Sequence, residues 1–203
     1  MTIFQLIMLA TAAFFAYQVY VHIQNIDEDA EPESMREMDE FEAAQLTPVE
    51  QSEEENFDER IEEADKTYVE GDLVKAKELL EGVVNDFPTM AEGMNKLAFV
   101  LSKLDEKEEA LLYYRASLRI NENDDMTHNA IARLLSSMDK TQEAKEHFDK
   151  AIAIDDNDEI TWFNYASFML SIGKIEEAKE MLKKALEINP SFEEAQVEFE
   201  RLG

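Results

Sequence analysis

The sequence predicts an all-α solenoid of stacked helix-turn-helix units, preceded by one N-terminal transmembrane helix and an acidic linker. Three observations carry this. Alanines recur every 34 residues on two ladders, Ala64, Ala98, Ala132 and Ala166 and, 12 positions after each, Ala76, Ala110, Ala144 and Ala178. A fixed period of that size marks stacked helical hairpins. No charged side chain occurs from Met1 to Ile26, and residues 27–56 then carry 13 Asp and Glu against Arg36 alone.

The totals agree with a helical chain. Of 203 residues 45% are apolar, enough for a packed core, and only 5 Gly and 4 Pro interrupt the helix formers. The net charge of −28 argues against nucleic acid, whose phosphates need Lys and Arg clusters. It serves solubility and, in a second reading, recruitment of basic partners. With no cysteine, disulfides, thiolate metal sites and a Cys nucleophile are excluded.

Residues 1–26 form the predicted anchor. The run from Ile3 to Ile23 is long enough to cross a bilayer as a helix, and Tyr17, Tyr20 and His22 gather at one end, where amphipathic rings favour the headgroup layer. A cleaved signal peptide needs a basic n-region, which residues 1–4 lack. Arg36, the nearest base, tips the repeat domain towards the cytoplasmic side by the positive-inside rule, with a periplasmic or other extracytoplasmic placement left open. Residues 27–56 read as a solvated spacer. Within it Met35, Met38, Phe41 and Leu46 keep helical spacing and outline a short amphipathic helix at 34–46, the alternative being transient helix in a disordered linker. Thr47-Pro48-Val49-Glu50 is a capping box with Pro at the first helical position, so a helix running from about Pro48 towards Val69 is expected.

Four frames follow: 57–90, 91–124, 125–158 and 159–192. In each, two apolar-striped segments flank a turn at Glu70-Gly71-Asp72, Asp105-Glu106, Asp139-Lys140 or Gly173-Lys174. Gly71 and Gly173 suit the left-handed backbone that ends many helices. The polar pairs Asn121-Glu122, Asp155-Asp156 and Asn189-Pro190 end the second helices and offer caps to the next. Two antiparallel helices approach to about 8–10 Å only across small residues, which is the work expected of the alanines. Leu97, Leu101, Ile131, Leu135, Tyr165, Met169, Tyr114, Phe148 and Leu182 fill the space around them. Ala195, Phe199 and Leu202 stripe one face of a short C-terminal capping helix in 193–203.

This pattern resembles the tetratricopeptide repeat family over about two-thirds of the chain. The last frame matches most fully, with Trp162, Tyr165-Ala166, Ala178, Leu182, Ala185 and Pro190 in the family's slots. Frame 125–158 matches through Ile131-Ala132, Ala144, Phe148 and Ala151, and frame 91–124 through Leu97-Ala98, Ala110 and Tyr114, with Ser117 in place of the usual Ala. Frame 57–90 departs, placing Arg60 and Glu63 where large apolar residues are expected, as suits an N-terminal capping repeat. The layout is also similar to bacterial single-span repeat proteins.

The resemblance implies a concave face, lined by the first helices, that holds peptides or extended protein segments. Carried onto this sequence, the lining is Tyr68, Asn95, Lys96, Phe99, Ser102, Lys103, Asn129, Arg133, Ser136, Phe163, Asn164 and Ser167, with Ile61 and Asp65 from the first frame. Asn95, Asn129 and Asn164 would bond a ligand backbone, and Phe99 and Phe163 would anchor apolar side chains. Lys96, Lys103 and Arg133 approach a cationic clamp for carboxylates, but the full arrangement is absent, so chaperone C-termini are not the expected ligands. No enzyme motif occurs, and His22, His128 and His147 are scattered. Asp155-Asp156-Asn157-Asp158-Glu159 lacks the Gly of a calcium loop and reads as a capping turn. No catalytic, metal or cofactor site is expected. The expected function is a membrane-tethered scaffold or adaptor for protein partners of unknown identity. The alternative is a structural subunit of a fixed membrane-associated complex, of envelope biogenesis, secretion or division type, without an exchangeable peptide. Homo-oligomerisation stays open.

Overall fold

The computed structural model describes residues 51–203, with side chains described from Asn56 onward; the expected anchor at 1–26, most of the linker and the expected helix at 34–46 lie outside the described residues. Among the described residues there are nine helices and no strand: α1 (Gln51–Val69), α2 (Leu73–Asp86), α3 (Ala91–Lys103), α4 (Lys107–Ile120), α5 (Asp125–Ser137), α6 (Thr141–Ile154), α7 (Glu159–Ser171), α8 (Ile175–Ile188) and α9 (Glu193–Leu202). None of these is long and apolar enough to cross a membrane.

The alanine ladders explain the pairing. All eight rungs, from Ala64 to Ala178, have no exposed surface. A methyl group at each crossing lets α1 lie on α2, α3 on α4, α5 on α6 and α7 on α8, and these hairpins are the closest packed pairs. First helices also pack on the first helix of the next hairpin, α3 on α5 and α5 on α7, while no second helix packs on the next second helix to a comparable extent. The row whose members touch is the inner side of the curve, so α1, α3, α5 and α7 form the concave face.

The four hairpin turns are one structure repeated. Gly71, Asp105, Asp139 and Gly173, 34 residues apart, have φ of 90°, 65°, 59° and 77°. At each, the left-handed residue donates its N–H to the carbonyl three back, as Gly71 does to Tyr68 at 2.9 Å, and the next residue donates to the carbonyl five back, as Asp72 does to Thr67 at 3.2 Å. That pair of bonds satisfies the carbonyls a helix leaves open at its end. Glycine predicts two of these turns; the other two force an aspartate into a conformation that costs an L-residue about 1 kcal/mol.

The caps differ from expectation. The side chains that cap α5 and α7 are Asp124 and Asp158, accepting from the backbone N–H of Thr127 at 3.1 Å and of Thr161 at 3.0 Å. Asn121-Glu122 and Asp155-Asp156 sit at the ends of α4 and α6, three residues too early to reach the next helix's free N–H groups. Asp155 instead turns the chain, accepting from Asn157 N–H at 2.8 Å.

The first hairpin also solves its core differently. Phe57 and Ile61 are buried, so Ile61 is a core residue and not part of the concave lining. Arg60, standing where an apolar residue is usual, lays its guanidinium 5.5 Å from the Phe87 ring centre and 2.6 Å from Asp86. Its stem covers apolar surface while its charge stays wet. Later hairpins lock through aromatics: Phe148 of α6 stacks on Tyr165 of α7 at 4.8 Å. The Tyr165 hydroxyl, pushed up to about 12 by burial and then by Asp149, donates to that carboxylate at 2.7 Å.

Candidate functional site

The concave face opens into a cleft of about 620 Å³ between α1, α3 and α5. Five of the expected lining residues converge there: Asp65 and Tyr68 from α1 and Asn95, Lys96 and Phe99 from α3. One helical turn separates Asn95 from Phe99, so both face the cleft. The Tyr68 and Phe99 rings lie 5.4 Å apart and tilted by 59°, an edge-favouring geometry. Lys96 Nζ is 2.8 Å from Asp65 and 3.6 Å from Glu92. Asn95 donates to Asp124 at 3.3 Å, and its buried side-chain oxygen has no partner among the described residues.

Pattern alone missed Met126, which is 72% exposed and lines the same cleft with Ala91, Glu92, Asp124 and Ala130. A signal was present: Met126 and Ile160 sit 34 residues apart at the second position of their frames, and both are exposed although apolar.

The remaining expected residues lie outside this cleft. Asn129 is 8% exposed and accepts from Asn164 at 3.2 Å, so part of the expected amide row is bonded within the protein. Phe163 packs against Phe192 at 5.1 Å. Ser102 donates to the Phe99 carbonyl at 2.6 Å and Ser167 to that of Phe163 at 3.0 Å, each bonding back onto its own helix. Ser136 is half-buried on α5. Lys103 Nζ stands 5.0 Å above the Phe99 ring, a cation–π contact at the mouth of the cleft. Arg133 is exposed, and its charge reaches the buried Tyr114 hydroxyl, which burial pushes up to about 12. On the helices of this face, residues 126–137 and 160–171 contain no Asp or Glu and, among Lys and Arg, Arg133 alone.

Two histidines that read as scattered come together on the other side of α5. His128 Nε2 lies 3.2 Å from the Glu122 carbonyl and its Nδ1 is 2.9 Å from His147 Nδ1. A carbonyl only accepts, so Nε2 carries the His128 proton and His147 donates to Nδ1. Burial, then the His128, Lys150 and Arg115 charges, pull His147 down to about 4. Among the described residues no cluster of three or more His, Asp or Glu is placed to hold a metal ion.

Helical hairpins of 34 residues joined by identical turns, with small residues at each crossing and a grooved inner face, define an all-α solenoid of stacked helical hairpins. Two family models, each described as tetratricopeptide repeat, match residues 90–123 and 135–197. No curated protein matches the sequence. Among solved structures the chain is similar to pilF of Pseudomonas aeruginosa, with 22% identity and a TM-score of 0.67 over 73% of this chain and 68% of that one. It is also similar to YrrB, described as a TPR protein with an unusual peptide-binding site, with 24% identity and a TM-score of 0.58 over 66% of this chain and 69% of that one. MamA matches at 19% identity and a TM-score of 0.60, over 68% of this chain and 81% of its own. At these identities the likeness is one of fold.

Proposed function

We propose that the protein is a membrane-tethered adaptor that holds segments of partner proteins on the concave face of its repeats. The observation that carries this is the cleft where Tyr68, Asn95, Lys96 and Phe99 converge with Met126, an apolar pocket with a few polar groups at its edge. The peptide-binding site in the description of YrrB, a protein of similar fold, is in keeping with it. The uncharged run 1–26 supports an anchor, and the acid-rich stretch after it supports a spacer. Tethering raises the effective concentration of partners at the bilayer, so modest affinity in the groove suffices. Arg36 favours a cytoplasmic repeat domain.

Crosslinking in intact membranes from a photoreactive residue at Phe99, followed by partner identification, tests the reading. An exchangeable set of partners, reduced in the Tyr68→Ala Met126→Ala variant, is expected. A single partner set of fixed stoichiometry that survives high salt and ignores those substitutions refutes it in favour of a structural subunit. A C-terminal reporter active on one side of the membrane only decides the orientation.

A further inference from the structure

The cleft between α1, α3 and α5 has an apolar floor and an acidic rim. Tyr68, Phe99 and Met126 supply the floor, and Asp65, Glu92 and Asp124 face the single cation Lys96 among the residues lining it. Lys96 is already shared, 2.8 Å from Asp65 and 3.6 Å from Glu92, while among the described residues Asp124 accepts from the neutral donors Asn95 and Thr127. Just behind it, burial and then the charges of Asp155, Asp124 and Asp158 push the Asp125 carboxyl up. The whole chain, at −28, adds a long-range field of the same sign.

We propose that this cleft takes a protein segment presenting one bulky apolar side chain with Lys or Arg beside it, the incoming cation replacing Lys96 between Asp65 and Glu92. The proposal rests on the groove reading above and adds the chemistry of the partner. The apolar side chain displaces water from the Tyr68 and Phe99 faces, and the cation completes the rim. A segment with carboxylates in those positions meets three acids against Lys96 on the rim and Lys103 at the mouth, a net repulsion.

The test uses the full-length chain in detergent and three fluorescent nonapeptides, each with a central Phe flanked on either side by two Lys, two Ser or two Glu. At low salt the Lys peptide is expected to bind about tenfold tighter than the Ser peptide, with the Glu peptide weakest, and the difference shrinks as salt rises. Lys96→Gln, which frees both carboxylates, tightens the Lys peptide severalfold and leaves the Ser peptide unchanged. Phe99→Ala with Met126→Ala weakens all three; these side chains are 36% and 72% exposed, so their loss leaves the fold intact. Equal affinities for the Lys and Glu peptides, lost in the Phe99→Ala Met126→Ala variant, overturn the charge inference and leave the groove reading standing. Lys-peptide binding that ignores that variant belongs to the acidic linker or outer surface and also overturns it. No saturable binding by any peptide removes both.

Discussion

Ser117 offers a measurement of how strictly the repeat dictates its core. It occupies the slot filled by Val83, Ala151 and Ala185 in the other hairpins, and all four residues are fully buried. Its hydroxyl is sequestered from solvent without a hydrogen-bond partner among the described residues. A buried, unpaired hydroxyl costs about 1–3 kcal/mol, and Ala is the better helix former by about 0.5 kcal/mol. Against this, removing one oxygen leaves a small void, worth less than a methylene at about 1 kcal/mol. Ser117→Ala is therefore expected to stabilise by about 1–2 kcal/mol, raising Tm by roughly 2–8 °C for a domain of this size. The reciprocal changes Ala151→Ser and Ala185→Ser should each lower it by a similar amount. Thermal and urea unfolding of the full-length chain, followed by circular dichroism, read the effect. An unchanged or lower Tm for Ser117→Ala would show that the hydroxyl is satisfied and that the slot tolerates polarity.

Three further outcomes follow from the packing. Ala132→Leu puts three extra carbons into a crossing with no free surface and should cost about 1–3 kcal/mol or more, read as a lower urea midpoint; an unchanged midpoint would mean the helix registration is wrong. Gly71→Ala should cost about 1 kcal/mol through backbone conformation alone, since an added Cβ meets nothing within 4 Å, whereas Asp105→Gly should gain up to about 1 kcal/mol at the equivalent turn. The histidine pair makes stability depend on pH: the folded His147 value of about 4 lies below the unfolded 6.5, so the unfolded chain binds more protons between the two. The contribution is fully present above pH 6.5 and is lost as pH falls towards 4. Partial exposure of the ring reduces it to about 1–2 kcal/mol, and His147→Gln should flatten that segment of a urea-midpoint profile.

The repeat was legible because every hairpin must bring two helices into contact at the same place, and only small side chains permit it. Features that depend on one side chain's geometry were less so. Gly71 announced its turn, while Asp105 and Asp139 hid theirs, since aspartate is common in many other settings. The first hairpin's core was obscured because Arg60 stands in an apolar slot and Phe57 and Ile61 fill the space from other positions. The histidine pair spans 19 residues across a hairpin, from the start of α5 to the middle of α6, and no local periodicity links those positions. In the cleft, aromatic and amide positions could be placed from the repeat register, but Met126 lies at the helix start, outside the usual face. Whether an amide is free or bonded to a neighbour, as Asn129 is to Asn164, depends on side-chain torsions that spacing does not determine.

The position of the cleft has an energetic consequence for the array. A solenoid is held by intrinsic repeat stability and nearest-neighbour terms, so it opens by unzipping from an end or melting in the middle. The cleft spans α1, α3 and α5, which come from three successive hairpins. An occupant touching all three acts as a second-neighbour bond that a bare one-dimensional array lacks. Its binding energy penalises any state in which one of the three is detached, so occupancy should merge the first three repeats into a single cooperative block. Hydrogen exchange would register that as a common opening free energy for Ala64, Ala98 and Ala132, against separate values expected in the empty chain.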